Sequence, residues 1–141
     1  DTALLEQQLG ELAAGRSVGL PSYDFAHHRR LETVELAEPR PVVLLEGILV
    51  LAEPRLRERL DLEVFVDTPL DICLARRIRR DALERGREVE GVLSQYMRDV
   101  RPAYFKYILP AKNTADLIID GTKPVREGLE LLRSAIQERR V

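Results

Sequence analysis

The sequence predicts an α/β fold with a mostly parallel sheet, and three observations support this. Three short runs rich in aliphatic and β-branched residues lie at residues 42–45, 62–66 and 115–119. Longer stretches of helical character separate these runs, which is the alternation typical of α/β domains. Each run ends in an acidic residue or leads directly into one, and parallel sheets place function at the carboxyl ends of their strands.

The predicted elements follow one another along a single domain, residues 1–141. Four leucines at helical spacing predict an amphipathic helix over residues 2–14. The segment 16–31 mixes Gly, Pro, aromatic and His residues and is predicted to be irregular, whereas the alternation in 33–36 predicts a short strand. The first apolar run then predicts a strand buried on both faces. Further helices are predicted over residues 54–60, 69–85, 89–101 and 123–140.

The composition of the chain narrows the function classes. Lys and Arg number 22 against 24 Asp and Glu, and the net charge of −2 argues against a generic nucleic-acid binder. No apolar run approaches the ~18–20 residues needed to span a bilayer, and no signal peptide is recognisable, so a cytoplasmic protein without a membrane partner is expected. The single cysteine, Cys73, excludes an internal disulfide. The chain begins with Asp1 rather than Met, so a trimmed or partial chain is one expectation.

The Glu46-Gly47 pair follows the first predicted strand, where a nucleotide-phosphate site is expected in this class of fold. Mg²⁺ prefers oxygen ligands, so the Glu46 carboxylate is a candidate metal ligand, directly or through water. The alternative is a strand-end acid that caps the next helix or is simply solvated.

Six arginines fall within twelve residues and predict a dense cationic helix that ends at Gly86. One interpretation is a lid, about residues 76–101, that closes over a polyphosphate, because Arg stabilises a phosphoryl group in transfer. The alternatives are a solvated helix paired with its interleaved acids, or a helix that binds a nucleic-acid duplex. The arginines are Arg76, Arg77, Arg79, Arg80, Arg85 and Arg87, and the acids are Asp81, Glu84, Glu88 and Glu90.

Residues 23–30 combine two aromatic, two imidazole and two guanidinium side chains. Aromatic faces stack on bases, and His or Tyr hydrogen-bonds to base edges, so this segment is a candidate for base contact. The alternative is that its aromatic residues only fix the loop to the core. The adjacent His27 and His28 make a poor zinc site, because neighbouring side chains point apart.

The combination of these segments resembles the uridine-cytidine kinases, which are P-loop kinases close to phosphoribulokinase. The stretches that carry the resemblance are PSYDFAHHRR, VVLLEGILVL, LEVFVDTPLD, RRIRRDALERGRE, SQYMRDVRPAY and ADLIIDG, spread over roughly residues 1–121. The resemblance implies a parallel-sheet, P-loop kinase-like fold with Arg-rich lid helices. It also implies transfer of the terminal phosphoryl group of ATP (or GTP), with Mg²⁺, to the 5′-hydroxyl of uridine or cytidine in pyrimidine salvage.

The resemblance further implies roles for particular residues and a homotetrameric assembly. Tyr23 and His28 resemble the pair that reads the pyrimidine edge, and Phe25 resembles the aromatic residue that packs on it. Glu46 resembles the Walker-B-like acid near Mg²⁺. The remaining implied residues are Arg77 at the ribose, Arg80 and Arg85 at the phosphates as lid residues, and Arg87 and Gln95 on the base side.

The sequence departs from the family pattern in one large respect. It contains no GxxxxGK[ST] phosphate loop, whereas the family begins with a strand, that loop and its helix, followed by an acidic base for the 5′-hydroxyl. The chain is therefore expected to be the carboxyl-terminal two-thirds of a longer kinase. The alternatives are a catalytically incompetent relative that binds nucleosides or nucleotides, or a sibling kinase with another 5′-hydroxyl or a sugar phosphate as substrate.

Overall fold

The computed structural model describes residues 1–24 and 29–139, which form the α/β fold that the sequence predicts. A parallel pair of strands is joined by helices, and an antiparallel hairpin packs beside the first helix. Among the described residues, no helix is long and apolar enough to cross a membrane. The elements are α1 (Thr2–Ala13), β1 (Val18–Asp24), β2 (Arg29–Ala37), α2 (Pro54–Arg57), β3 (Val64–Asp67), α3 (Leu70–Arg85), α4 (Val89–Gln95), α5 (Arg101–Ala103), α6 (Leu109–Lys112), β4 (Leu117–Asp120) and α7 (Val125–Glu138).

The strands β3 and β4 pair in parallel, with Val64 opposite Leu117 and Asp67 opposite Asp120. Both strands were predicted from their apolar runs, and both predictions are confirmed. The carboxyl ends of the two strands coincide, and the backbone N–H of Gly121 donates to the Asp67 carbonyl at 2.7 Å. The structure therefore brings two acidic side chains to one edge of the sheet, as the parallel arrangement requires.

The helix α7 packs closely on β4 because it carries a glycine at the contact. A Cβ built on Gly128 would lie 2.9 Å from Cγ2 of Ile119, which is closer than packed carbon atoms approach. Because glycine has no Cβ, Gly128 lets α7 approach β4 more closely than any other residue would at this position.

The segment 16–31 was predicted to be irregular, and this prediction is wrong for its described part. β1 and β2 form an antiparallel hairpin in which Val18 lies opposite Ala37 and Pro21 opposite Val34. The register shifts between Pro21 and Tyr23, so a bulge accommodates the proline that resembles a strand breaker in the sequence. Gln8 Nε2 on α1 donates to the Gly19 carbonyl at 2.6 Å and ties the hairpin to the first helix.

The strand predicted over residues 42–45 is not formed. Val42, Val43 and Leu44 are exposed, and no strand of the described residues pairs with them. A strand needs a neighbour to satisfy its N–H and C=O groups, and this segment has none in the described chain. The prediction rested on the apolar composition of these residues alone, whereas a buried strand also needs a neighbouring strand to pair with.

Helical backbone continues from α4 through α6, beyond the predicted end at residue 101. Two π-helical segments, Tyr96–Val100 and Tyr104–Ile108, interrupt it, and each ends two residues before a proline. Proline lacks an N–H and clashes with the preceding turn, which explains a local change of hydrogen-bond register near Pro102 and Pro110. The buried side chains of this helical run, Val92, Tyr96 and Ala111, join Leu56 and Phe65 in the core.

Candidate functional site

The centre of the candidate site is Asp81, a fully buried carboxylate near the end of α3. α3 ends at Gly86, whose φ of 59° lies in the left-handed region that glycine adopts readily. This turn reverses the chain, and the backbone N–H of Arg87 donates to the Asp81 carbonyl at 3.0 Å. The last turns of α3 and the first residue after Gly86 therefore lie around one carboxylate.

Four guanidinium groups surround the Asp81 carboxylate. Arg80 donates to Oδ1 from Nε at 3.0 Å and from Nη2 at 2.8 Å, and Arg87 Nη1 donates to Oδ2 at 3.1 Å. Arg85 Nη1 lies 3.6 Å from Oδ1, and Arg77 Nε lies 3.8 Å from Oδ2. We call these four arginines with Asp81 and Gln95 the arginine cluster.

Gln95, at the end of α4, closes the cluster from a second helix. Its Oε1 accepts from Arg77 Nη2 and from Arg87 Nη2, each at 2.9 Å. Arg87 therefore bridges the Asp81 carboxylate and the Gln95 amide with one planar fork, which a lysine ammonium could not do. The buried Arg77 Nε has no hydrogen-bond partner among the described residues, so this side of the cluster retains an unused donor.

The cluster carries a surplus of positive charge. Burial alone would raise the pKa of Asp81, but the hydrogen bonds from Arg80 and the charges of Arg80, Arg77 and Arg85 outweigh burial and hold that pKa below its usual range. Four guanidiniums thus face one ionised carboxylate. The Arg80 and Arg85 side chains are 46% and 54% exposed, against 24% for Arg77 and 36% for Arg87. The more exposed pair is the one best placed to receive an anion from solvent.

Arg76 does not join this cluster, although its helical spacing puts it on the face of Arg80. Arg76 Nη1 donates instead to the Gly121 carbonyl at 2.9 Å, at the carboxyl end of β4. The arginines of α3 therefore have two roles. Arg76 holds the helix against the sheet, whereas Arg77, Arg80 and Arg85 face Asp81.

The remaining predicted site residues lie on other elements. Tyr23 is exposed on β1, whose main packing neighbours are β2 and α1. Glu46 is exposed in the stretch without regular secondary structure between β2 and α2, where its carboxylate makes no hydrogen bond or ion pair with a described residue. Phe25 and His28 lie outside the described residues. The structure thus assembles Arg77, Arg80, Arg85, Arg87 and Gln95, and places Tyr23 and Glu46 apart from them in the chain.

The fit of Mg²⁺ can be tested on the donor groups present. Among residues 1–24 and 29–139, no group of three or more His, Cys, Asp and Glu side chains is arranged to hold a metal ion. Glu46 offers a single carboxylate. Mg²⁺ is commonly held by one or two carboxylates together with substrate phosphates and water, so Glu46 fits as one ligand of such a site.

Asp81 is the functional candidate that sequence reasoning missed, because it was counted only as one of four acids that neutralise the helix. The sequence does hold a signal for it. Arg77 and Arg85 each lie four residues from Asp81, and this spacing puts both guanidiniums on the face of the carboxylate. Arg87 reaches Asp81 through the Gly86 turn, and Gln95 joins the cluster from a second helix by accepting from Arg77 and Arg87. Neither path can be predicted from spacing.

Comparison with known proteins gives consistent results. Residues 1–126 match the family described as the phosphoribulokinase / uridine kinase family. A protein named uridine kinase from Proteus mirabilis is 48% identical over 137 residues, covering 96% of this chain and 64% of the relative. A uridine kinase from Salmonella paratyphi B is 43% identical over 138 residues, covering 98% of this chain and 65% of the relative.

The chain thus spans just under two thirds of the length of these relatives. The family match covers most of its residues, including the hairpin, both strands of the parallel pair and the arginine cluster. The chain belongs to the phosphoribulokinase / uridine kinase family.

Proposed function

We propose that this chain is part of a nucleoside kinase that transfers the terminal phosphoryl group of ATP, or of GTP, to the 5′-hydroxyl of uridine or cytidine. The relatives named uridine kinase support the substrate class. The observation that carries the proposal is the arginine cluster, in which four guanidiniums share one buried carboxylate. Such a surplus of positive charge is what phosphoryl transfer requires, since its catalysis depends on positioning and charge stabilisation.

Arg80 and Arg85 are the proposed catalytic contacts. They are the more exposed arginines of the cluster, so their guanidiniums can turn toward a phosphate at little cost in desolvation. Guanidinium donors aimed at the transferring group stabilise the charge that develops there. We infer that residues 76–101 form the lid that brings these groups over the phosphates within the single domain 1–141.

Arg77, Arg87 and Gln95 are the proposed nucleoside contacts on the same lid. Two hydrogen bonds to Gln95 Oε1 join the Arg77 and Arg87 side chains, and the Arg77 guanidinium is the proposed donor to a ribose oxygen. Tyr23, Phe25 and His28 are assigned to the base edge through the resemblance of their segment. In this proposal Glu46 provides the carboxylate for Mg²⁺, which would neutralise phosphate charge when bound.

The test uses the complete gene product that contains this chain, with Mg²⁺ and either ATP or GTP. Uridine, cytidine, other nucleosides and sugar phosphates are supplied in turn, and product formation is measured. The proposal requires phosphorylation of uridine or cytidine in preference to the others. Preference for a sugar phosphate or a different nucleoside would favour a sibling kinase, and nucleoside binding without turnover would favour a regulatory relative.

Two further properties belong to this proposal. A kinase of this kind acts on the cytoplasmic nucleotide pool, so we infer a cytoplasmic location and a small-molecule partner rather than a nucleic acid or a membrane. The resemblance also implies a homotetramer. Light scattering on the complete protein measures the assembly directly, and a monomer would contradict the tetramer without bearing on the reaction.

A further inference from the structure

Among the side chains of the cluster, only Asp81 is anionic, and the proposed function gives it no contact with either substrate. It is fully buried, and both of its oxygens are used: Oδ1 faces Arg80 and Arg85, and Oδ2 faces Arg77 and Arg87. A buried carboxylate is costly unless it is paired and hydrogen-bonded. Because the neighbouring arginines are proposed to bind phosphate, the presence of this carboxylate among them calls for an explanation beyond charge balance.

The two oxygens of Asp81 divide the arginines into two pairs. The Oδ2 pair, Arg77 and Arg87, is also fixed by Gln95 and is less exposed. The Oδ1 pair, Arg80 and Arg85, has no second protein partner in the described chain and is more exposed. One carboxylate thus anchors a fixed pair on one side and orients a releasable pair on the other.

Without a central anion, four guanidiniums within one small volume would repel each other and turn out toward solvent. Arg side chains lose considerable rotamer entropy when they are ordered, so their preorganisation needs a partner in the unliganded protein. Asp81 supplies that partner from the same helix turn, and its backbone carbonyl also accepts the N–H groups of Gly86 and Arg87.

We propose that Asp81 is a positioning residue that preorganises Arg80 and Arg85 for a polyphosphate while Arg77 and Arg87 stay fixed to Gln95. This inference rests on the proposed function for the identity of the polyphosphate. The positioning role and a simple charge-balancing role predict opposite changes in anion affinity when Asp81 is removed. If Asp81 only lowers the local charge, its removal leaves the site more positive and anions bind more tightly. If Asp81 positions the arginines, its removal weakens anion binding in spite of the added positive charge.

The experiment measures inorganic tripolyphosphate binding by titration calorimetry on the complete gene product and three variants. Asp81→Asn removes the charge at nearly constant volume, and Asp81→Glu keeps the charge but displaces the carboxylate by one methylene group. Glu130→Gln is the matched control, because it removes an exposed carboxylate that is paired with Arg126 on α7, outside both the cluster and residues 76–101. We expect about a tenfold or greater loss of affinity in Asp81→Asn, a smaller loss in Asp81→Glu, and less than about a twofold change in Glu130→Gln.

Unchanged or tighter tripolyphosphate binding in Asp81→Asn would overturn the inference, as would the absence of binding in the parent protein. If Asp81→Asn does not fold, Asp81→Glu decides alone, since unaltered affinity there shows that the carboxylate position is irrelevant. The uridine and cytidine assay is run separately on the parent protein. A parent that binds tripolyphosphate in an Asp81-dependent way but does not phosphorylate these nucleosides refutes the proposed function and retains the inference.

Discussion

Lys112 Nζ lies 2.6 Å from Oδ2 of Asp67 and joins the end of α6 to the carboxyl end of β3. No side-chain cap is formed at the start of α3, and the Asp67 carboxylate pairs with Lys112 instead. The pair connects positions 45 residues apart, so it contributes to tertiary structure rather than to a single helix.

The Lys112 pair is partly exposed, so its contribution to stability is expected to be modest. A double-mutant cycle with Lys112→Met and Asp67→Asn should give a coupling of about 0.2–1 kcal/mol in the free energy of unfolding, measured with urea. The matched control is the Lys123–Glu127 pair, which joins residues only four positions apart at the start of α7 and is more exposed on both sides. A coupling no larger than that of the control would show that the 2.6 Å contact adds nothing to the tertiary structure.

Gly86 is the residue whose backbone conformation shapes the cluster. Alanine at this position meets no atom within 4 Å, so any cost comes from the left-handed backbone alone. Gly86→Ala should lower the free energy of unfolding by about 1–2 kcal/mol. Gly91 in α4 is the control: it is exposed and equally open, and Gly91→Ala should be neutral or stabilise by up to about 1 kcal/mol. Equal effects of the two substitutions would contradict the backbone argument.

The pH dependence of stability should report the ionised state of Asp81. Its pKa is lowered in the folded protein, because the Arg80 hydrogen bonds and the nearby guanidiniums outweigh burial. The unfolded chain then binds a proton more readily than the folded one below about pH 4. The stabilising contribution is therefore complete above about pH 5 and is lost as the pH falls through the folded pKa.

The measurement is the free energy of unfolding in urea between pH 6 and pH 3. The parent protein should lose stability with falling pH more steeply than Asp81→Asn, which has no group to titrate there. Asp116 gives a comparison, because its pKa is lowered chiefly by the hydrogen bond from the Glu63 N–H, against burial, with a further contribution from Arg139. Identical slopes in the parent and Asp81→Asn would show that Asp81 is not an ionised partner of the arginines.

The predictable part of the fold rests on local signals. β3 and β4 were predicted from apolar runs that end in Asp67 and Asp120, and the cationic end of α3 from its arginine spacing and Gly86. The failures concern pairing between distant segments. Residues 42–45 have the composition of a buried strand but no neighbouring strand in the described chain. β1 contains Pro21, and the register of its pairing with β2 shifts directly after this proline. Asp81 was missed because Arg87 reaches it through a turn and because Gln95 joins its arginines from a second helix.

The kinetic prediction concerns Arg80 in the complete gene product. If Arg80 acts mainly on the charge that develops in the transition state, Arg80→Ala should lower kcat by about 10²-fold or more and change the KM for the nucleoside little. Arg126→Ala is the control, because Arg126 is an exposed arginine on α7 whose partner is Glu130, outside residues 76–101, and it should leave both constants unchanged. Arg87→Ala should instead raise the nucleoside KM, because it removes the fork that holds Gln95. Steady-state kinetics with uridine and cytidine separate these effects, and a rise in nucleoside KM with unchanged kcat in Arg80→Ala would reassign Arg80 to substrate binding.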